Sequence, residues 1–221
     1  MKVTIVPVAH VSEESVRRVR RTIEKERPQC VAIELDPQRL HALLRRKEPT
    51  WLELVTHPFF AMLYLFQKVL GKGLGITPGS EMLAAVEVAR ELDIPIVLLD
   101  RDIGVTMSRL ARIPLSEKLA LVAQMFLSPL AFIPNPLAKE RPPTIEEMTE
   151  QRFIRKFFRE FRESLPNTYR VLVEERDEHM FEQLRKLNVE SVVLVIGAGH
   201  VPGMARRLRT LRKEEKAGVA S

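Results

Sequence analysis

Apolar positions along this chain follow two periods. Four short runs are dense in β-branched residues: Lys2–Val8, where Val3, Ile5, Val6 and Val8 are apolar, then Cys30–Leu35, Pro95–Leu99 and Val192–Ile196. Bounded by glycine, proline or charge, such runs predict strands buried in a sheet. Between them the apolar residues recur at helical spacing. Val16, Val19 and Ile23 form one stripe after a capping Ser12, and Pro28 ends it. Pro37–Lys47 reads as a short basic helix, and Gly79-Ser80-Glu81 opens another. Thr144 and Glu147 make a capping box ahead of Ile154, Phe157, Phe158, Phe161 and Leu165. Tyr169, Val173, Arg176, Met180, Leu184 and Leu187 form a further stripe, and Met204, Leu208 and Leu211 the last. Strands alternating with helices predict an α/β fold, a central parallel-rich sheet flanked by helices.

Two regions depart from that rhythm. Trp51–Leu70 is crowded with large apolar residues, but Glu53, His57, Pro58, Gln67 and Lys68 interrupt it. No stretch reaches the roughly 18–20 apolar residues of a spanning helix. The pattern predicts a helical insertion over about 48–76, covering the site or packing on a second copy of the chain as a homodimer. A helical region over about 113–187 contains a second greasy run, Leu115–Ile133, and a proline-rich connection from Pro134 to Pro143. At 221 residues the whole fits one domain, 1–221, with an insertion.

Composition narrows the picture only modestly. Hydrophobic residues make up 45% and charged residues 29%, within the usual range for a globular protein. The net charge of +6 resides in runs such as Arg17–Arg21 and Arg206–Lys213, which read as solvent faces of amphipathic helices. No aromatic residues interleave them and no recognised motif accompanies them, so nucleic acid is not an expected partner. The single Cys30 excludes an intrachain disulfide and a cysteine metal cluster, and fits a strand start in a reducing compartment. Met1–Val8 runs straight into a strand with no secretory pattern.

The strand ends carry the chemistry. His10 follows the first strand, Glu34 sits at the end of the second, Asp100-Arg101-Asp102 closes the third, and His200 follows the last. In open α/β sheets ligands bind in the crevice outside the carboxyl ends of the strands. Gly197 and Gly199 end the last strand, but the third glycine of a dinucleotide fingerprint is missing at its spacing, and no acid follows about 20 residues on. A carboxylate such as Glu34 within an apolar run is costly unless paired or bound to metal. Arg176 lies in the middle of an apolar stripe, so its guanidinium requires a carboxylate or an anionic ligand; Glu175 and His179 flank the stripe.

Six stretches taken in order resemble the TraB/PrgY family: Ala9-His10-Val11-Ser12, Val31-Ala-Ile-Glu34-Leu, Pro78-Gly79-Ser-Glu81-Met82, Leu99-Asp100-Arg101-Asp102, Glu175-Arg176-Asp177 with Met180, and Gly197-Ala-Gly-His200. The resemblance extends to the Tiki metalloproteases and, more distantly, to erythromycin esterase and ChaN-like proteins. The family's hallmark is a pair of Gly-x-x-His motifs. The second is intact at Gly197 and His200, whereas the first reads Pro7-Val-Ala-His10, with proline in the glycine position. The resemblance implies an erythromycin esterase/ChaN-like sheet with His10, Glu34 and His200 at its carboxyl edge. It implies a metal-dependent peptidase using manganese or cobalt, or a PrgY-type protein that shuts down a peptide pheromone signal. It also implies a cytoplasmic-side domain tethered to a membrane in a longer protein, through a C-terminal half that this chain, ending Ala217–Ser221, lacks.

Three functions follow as alternatives. In a metal-dependent hydrolase of peptides, His10, Glu34 and His200 gather a divalent ion or activate water. Glu175 or Asp100 assists, and Arg176 or Arg101 stabilises developing charge, with Asp102, Gly197 and Gly199 lining the site. A binding module would sequester a peptide or small molecule in the same cleft without turnover. A membrane-associated scaffold would use the two greasy regions as its dimer face.

Overall fold

The computed structural model describes residues 1–8, 13–45, 79–121, 123 and 151–218. His10, the expected insertion over about 48–76 and most of Leu115–Ile133 lie outside them. Among the described residues four parallel strands form one sheet in the order β1-β4-β2-β3: β1 Lys2–Val8, β2 Cys30–Ile33, β3 Ile96–Leu98 and β4 Ser191–Gly197. β4 is central, pairing Val3 with Val192 on one side and Val31 with Val193 on the other. Because every pairing is parallel, all four carboxyl ends open on the same edge. The topology agrees with the alternating pattern of the sequence at the level of an α/β fold with a parallel sheet between helices.

Helices cover both faces, which is why the strands read as nearly continuous apolar runs. On one face α1 (Glu13–Glu26) and α3 (Ser80–Glu91) pack Val19, Ile23, Met82 and Ala85 against Val6, Val31, Ile33, Val193 and Val195. On the other, α7 (Glu175–Arg185) and α8 (Val201–Gly218) bury Met180, Leu184, Met204 and Leu208 against Ala32, Val192, Leu194 and Ile196. Successive residues of β2 alternate between the two clusters, as the period-2 pleat demands. Each fully buried Val, Ile or Leu contributes about 1.5–3 kcal/mol. A core of this extent offsets the several kcal/mol per ion that the buried charges described below cost.

The connecting elements aim side chains at the carboxyl edge. Asp36 caps α2 (Pro37–Arg45), accepting from the backbone N–H groups of Gln38 and Arg39 at 2.9 Å each. Asp102 caps α4 (Ile103–Leu110), accepting from Gly104 N–H at 2.7 Å. After α5 (Gln151–Ser164) the short α6 (Pro166–Tyr169) leads through a π-helical segment, Arg170–Glu174, into α7. The stripe from Tyr169 to Leu187 reads as one uninterrupted helix in sequence; a wide turn near its start passes unseen, because spacings of three and four tolerate one extra residue. Wide turns of this kind recur at functional sites. No helix of the described residues is long and apolar enough to cross a membrane.

Candidate functional site

β2 ends at Ile33, and the next residue, Glu34, turns its carboxylate along the sheet edge toward β4. Glu34 Oε2 accepts the Gly197 backbone N–H at 2.7 Å, and Oε1 lies 3.1 Å from His200 Nε2. His200 stands immediately before α8, and its carbonyl accepts the Met204 N–H at 3.0 Å. Its other ring nitrogen, Nδ1, lies 2.6 Å from Asp177 Oδ1. Asp177, Glu34 and His200 are all buried. The imidazole is thus clamped between two carboxylates, one at each nitrogen.

That clamp depends on a glycine. A Cβ on Gly203 would lie 1.8 Å from Asp177 Oδ2, so only glycine lets α7 bring Asp177 so close to the first turn of α8. Gly199 has a similar constraint, since a Cβ there would lie 2.1 Å from the ring of Phe158 on α5.

Arginines complete the cluster. Arg176 donates to Glu34 Oε1 and to Asp100, with Nη2 at 2.6 Å from Asp100 Oδ2 and Nε at 3.1 Å from Oδ1. Its third nitrogen reaches the Leu172 carbonyl in the π segment at 3.1 Å. Arg39 binds Asp36 at 2.6 Å and also donates to Asp100. Arg207 approaches Asp177 Oδ2 at 3.8 Å. Glu34, Asp36, Asp100 and Asp177 therefore face Arg39, Arg176, Arg207 and His200, and the group is balanced in charge when the imidazole is protonated.

Electrostatics follow from that balance. Burial alone would push the His200 imidazole down, but the Glu34 charge and the bonds to Asp177 and Glu34 outweigh it and push it up to about 9. Burial would raise the Glu34 carboxyl; the charges of His200 and Arg176, with their hydrogen bonds, hold it far below the usual carboxylate range. Asp100 is likewise held low against burial, mainly by Arg176 and Arg39, and Arg176 is raised by Glu34 and Asp100. At neutral pH the site is a network of fixed charges with His200 as imidazolium.

With this geometry in hand, the comparison with known proteins is decisive: the profile of the TraB/PrgY/gumN family matches residues 2–217. The chain belongs to that family. An uncharacterised protein of Methanocaldococcus jannaschii is 35% identical over 221 residues, covering 94% of this chain and 53% of that protein. TraB domain-containing proteins of Bos taurus and Homo sapiens are 28% and 26% identical over 245 residues, covering 95% of this chain and 63% of each of those proteins. The TraB-family chain described here thus spans between about half and two thirds of the length of the curated relatives it matches.

Of the residues expected from sequence, the fold brings Glu34, Asp100, Arg176, His200 and Gly197 into one cluster. Arg101 and Glu175 form a neighbouring pair at 2.8 Å, where Arg101 also donates to Thr106 Oγ1 and the Val171 carbonyl. That pair clasps the π segment and makes no contact with His200 among the bonds of the site. Asp102 serves as a helix cap and accepts from Gln38 at 2.7 Å. Asp36 and Arg39 join the site unsignalled, and Asp177, quoted in sequence only as part of the Glu175-Arg176-Asp177 stretch, joins it without having been given a site role. Asp177 was hidden in a polar run beside Arg176; the signal for it was Gly203, a glycine inside a helical pattern that asks for a close neighbour.

Metal chemistry can be weighed against the same distances. Two adjacent ligands on one ion, each about 2.1 Å from it, stand roughly 3.0–3.4 Å apart. His200 Nε2 and Glu34 Oε1, at 3.1 Å, meet that requirement, and Asp177 behind Nδ1 is the carboxylate partner that metal-bound histidines use. Among the described residues no group of three or more His, Cys, Asp or Glu side chains is placed to hold an ion, so a metal on Glu34 and His200 would need further ligands.

Proposed function

We propose that the chain is a hydrolase acting on peptides, with Glu34 and His200 at its centre and a divalent metal, manganese or cobalt, as cofactor. The observation that carries this reading is the Asp177–His200–Glu34 alignment, a buried imidazole oriented at Nδ1 and facing a carboxylate at Nε2. Glu34 and His200 would hold the ion, joined by His10. Bound there, the ion supplies Lewis-acid polarisation of the scissile carbonyl and of water.

The chain's own residues divide the remaining work. Glu34, held well below the ordinary carboxylate range, is a poor proton acceptor and a good fixed negative charge or ligand. His200, pushed up to about 9 and cationic while Nε2 is free, would give up the Nε2 proton when that nitrogen takes the ion. Arg176, anchored on Asp100, presents a guanidinium that favours negative charge on a carbonyl oxygen beside Glu34. Asp177 keeps the imidazole in place and stabilises its charged form.

A second reading is favoured by one observation. Both Glu34 oxygens are already engaged, Oε1 by Arg176 and His200 and Oε2 by Gly197, which suits a rigid cleft that sequesters a peptide without turnover. Metal analysis of the purified chain, followed by a peptide-library cleavage assay with and without manganese, separates the two. Cleavage that requires metal and is lost in Glu34→Gln and His200→Asn supports the hydrolase. Peptide capture without cleavage at any metal concentration overturns it.

A further inference from the structure

Outside the sheet edge, α7, α8, the π segment and the end of α4 enclose a cleft of about 530 Å³. Arg109, Arg170, Arg206 and Arg207 line it together with three glutamates, Glu174, Glu175 and Glu178. A second cleft of about 380 Å³ shares Arg109, Arg170 and Glu175 with the first, so the two are lobes of one groove. The second lobe adds Arg112 and Asn167 to apolar lining from Ile113, Pro114 and Val171.

The charges of the groove do not cancel. Glu175 is engaged by Arg101 at 2.8 Å and Arg109 at 3.0 Å, and Glu174 by Arg162 at 3.1 Å. Arg170 comes only to 3.8 Å from Glu175. Arg112 and Arg206 are exposed and have no carboxylate partner among the described residues, leaving Glu178 as the acid set against the surplus. Guanidiniums delivered by α4 and its following turn, the π segment and α8 thus face one shared space. Holding like charges together is unfavourable unless an anion joins them.

The geometry points to a binding site for a phosphate-bearing small molecule, its phosphates in the charged lobe and an apolar portion against Ile113, Pro114 and Val171. Several converging guanidiniums match a group that offers three oxygens and more than one charge. Asn167 supplies a polar contact beside the apolar lining. The site is separate from the Glu34–His200 cluster and does not depend on peptide hydrolysis; among the described residues Arg207 borders both.

Calorimetric titration of the full chain with inorganic pyrophosphate tests this. Arg170→Ser with Arg206→Ser removes two charges from the groove, and Arg21→Ser with Lys25→Ser removes two from the exposed face of α1, which leaves the net charge equal. Pyrophosphate should bind the parent and the α1 variant alike, and the groove variant at least about tenfold more weakly. Thermal melts of the three proteins should coincide. Absence of pyrophosphate binding at millimolar concentration, equal weakening in both variants, or tighter binding of citrate than of pyrophosphate would overturn the assignment.

Discussion

Replacing Arg176 by Met removes a guanidinium from between two carboxylates that cannot rehydrate in place. The Glu34 side chain is 9% exposed and that of Asp100 1%, while Arg176 itself is 14% exposed. Breaking a buried pair by removing one partner costs about 3–5 kcal/mol. Arg39 still reaches Asp100, and His200 and Gly197 still reach Glu34, which places the loss near the lower end, about 3 kcal/mol. For a chain of this size that lowers the melting temperature by about 6–12 °C. The pH dependence gives a second check. Glu34 and Asp100 have folded pKa values below their unfolded ones, so their stabilisation is present above about pH 4 and is lost as pH falls through the folded values. Without Arg176 those carboxyls take up protons at higher pH, and the deficit of the variant should shrink as acid is added. Urea denaturation at pH 7 and at about pH 3, below the unfolded carboxyl values, measures both numbers. Arg176→Lys, which keeps charge and loses the bidentate fork, should fall between parent and Met. A deficit under about 1 kcal/mol at neutral pH, or one unchanged by acid, would refute the reasoning.

Two further outcomes follow from the histidine clamp. Gly203→Ala should push Asp177 away from His200 and destabilise by about 1–3 kcal/mol, lowering the imidazole pKa; a variant with parental stability and an unmoved titration would mean that Asp177 does not hold the ring. In the parent, NMR should find His200 titrating at about 9. Since that lies above the unfolded value of about 6.5, its stabilisation is complete below the latter and fades as pH rises through 9. A measured value under about 6.5 would contradict the two-carboxylate environment.

Much of the sheet was legible because its interior strands, β2 and β4, are buried on both sides and so are written as unbroken apolar runs. Polar residues at the ends of those runs were conspicuous for the same reason, and parallel pairing then brings Glu34, Asp100 and His200 together without further information. Arg176 was legible as an intruder in an apolar stripe. Asp177, one position later among Glu174–Glu178, lacked any such contrast. Asp36 and Arg39 were obscured because an acid before a helix looks like a cap, and Asp36 is one; its second role toward Arg39 and Asp100 needs three dimensions. The π segment escaped because a periodic stripe constrains the face of a helix more tightly than its winding.

The position of β4 has a consequence for how the chain is made. Among the described residues β1 pairs with β4 alone, Lys2 beside Ser191, so β1 lacks that neighbour until β4 has left the ribosome. Pairings separated by nearly the whole chain are slow to form, and an unpartnered apolar strand is an aggregation hazard while it waits. β1 is therefore the element that a chaperone would have most reason to shield during synthesis, and translation through β4 is the moment at which the sheet, and with it the pocket of Glu34 and His200, first becomes possible.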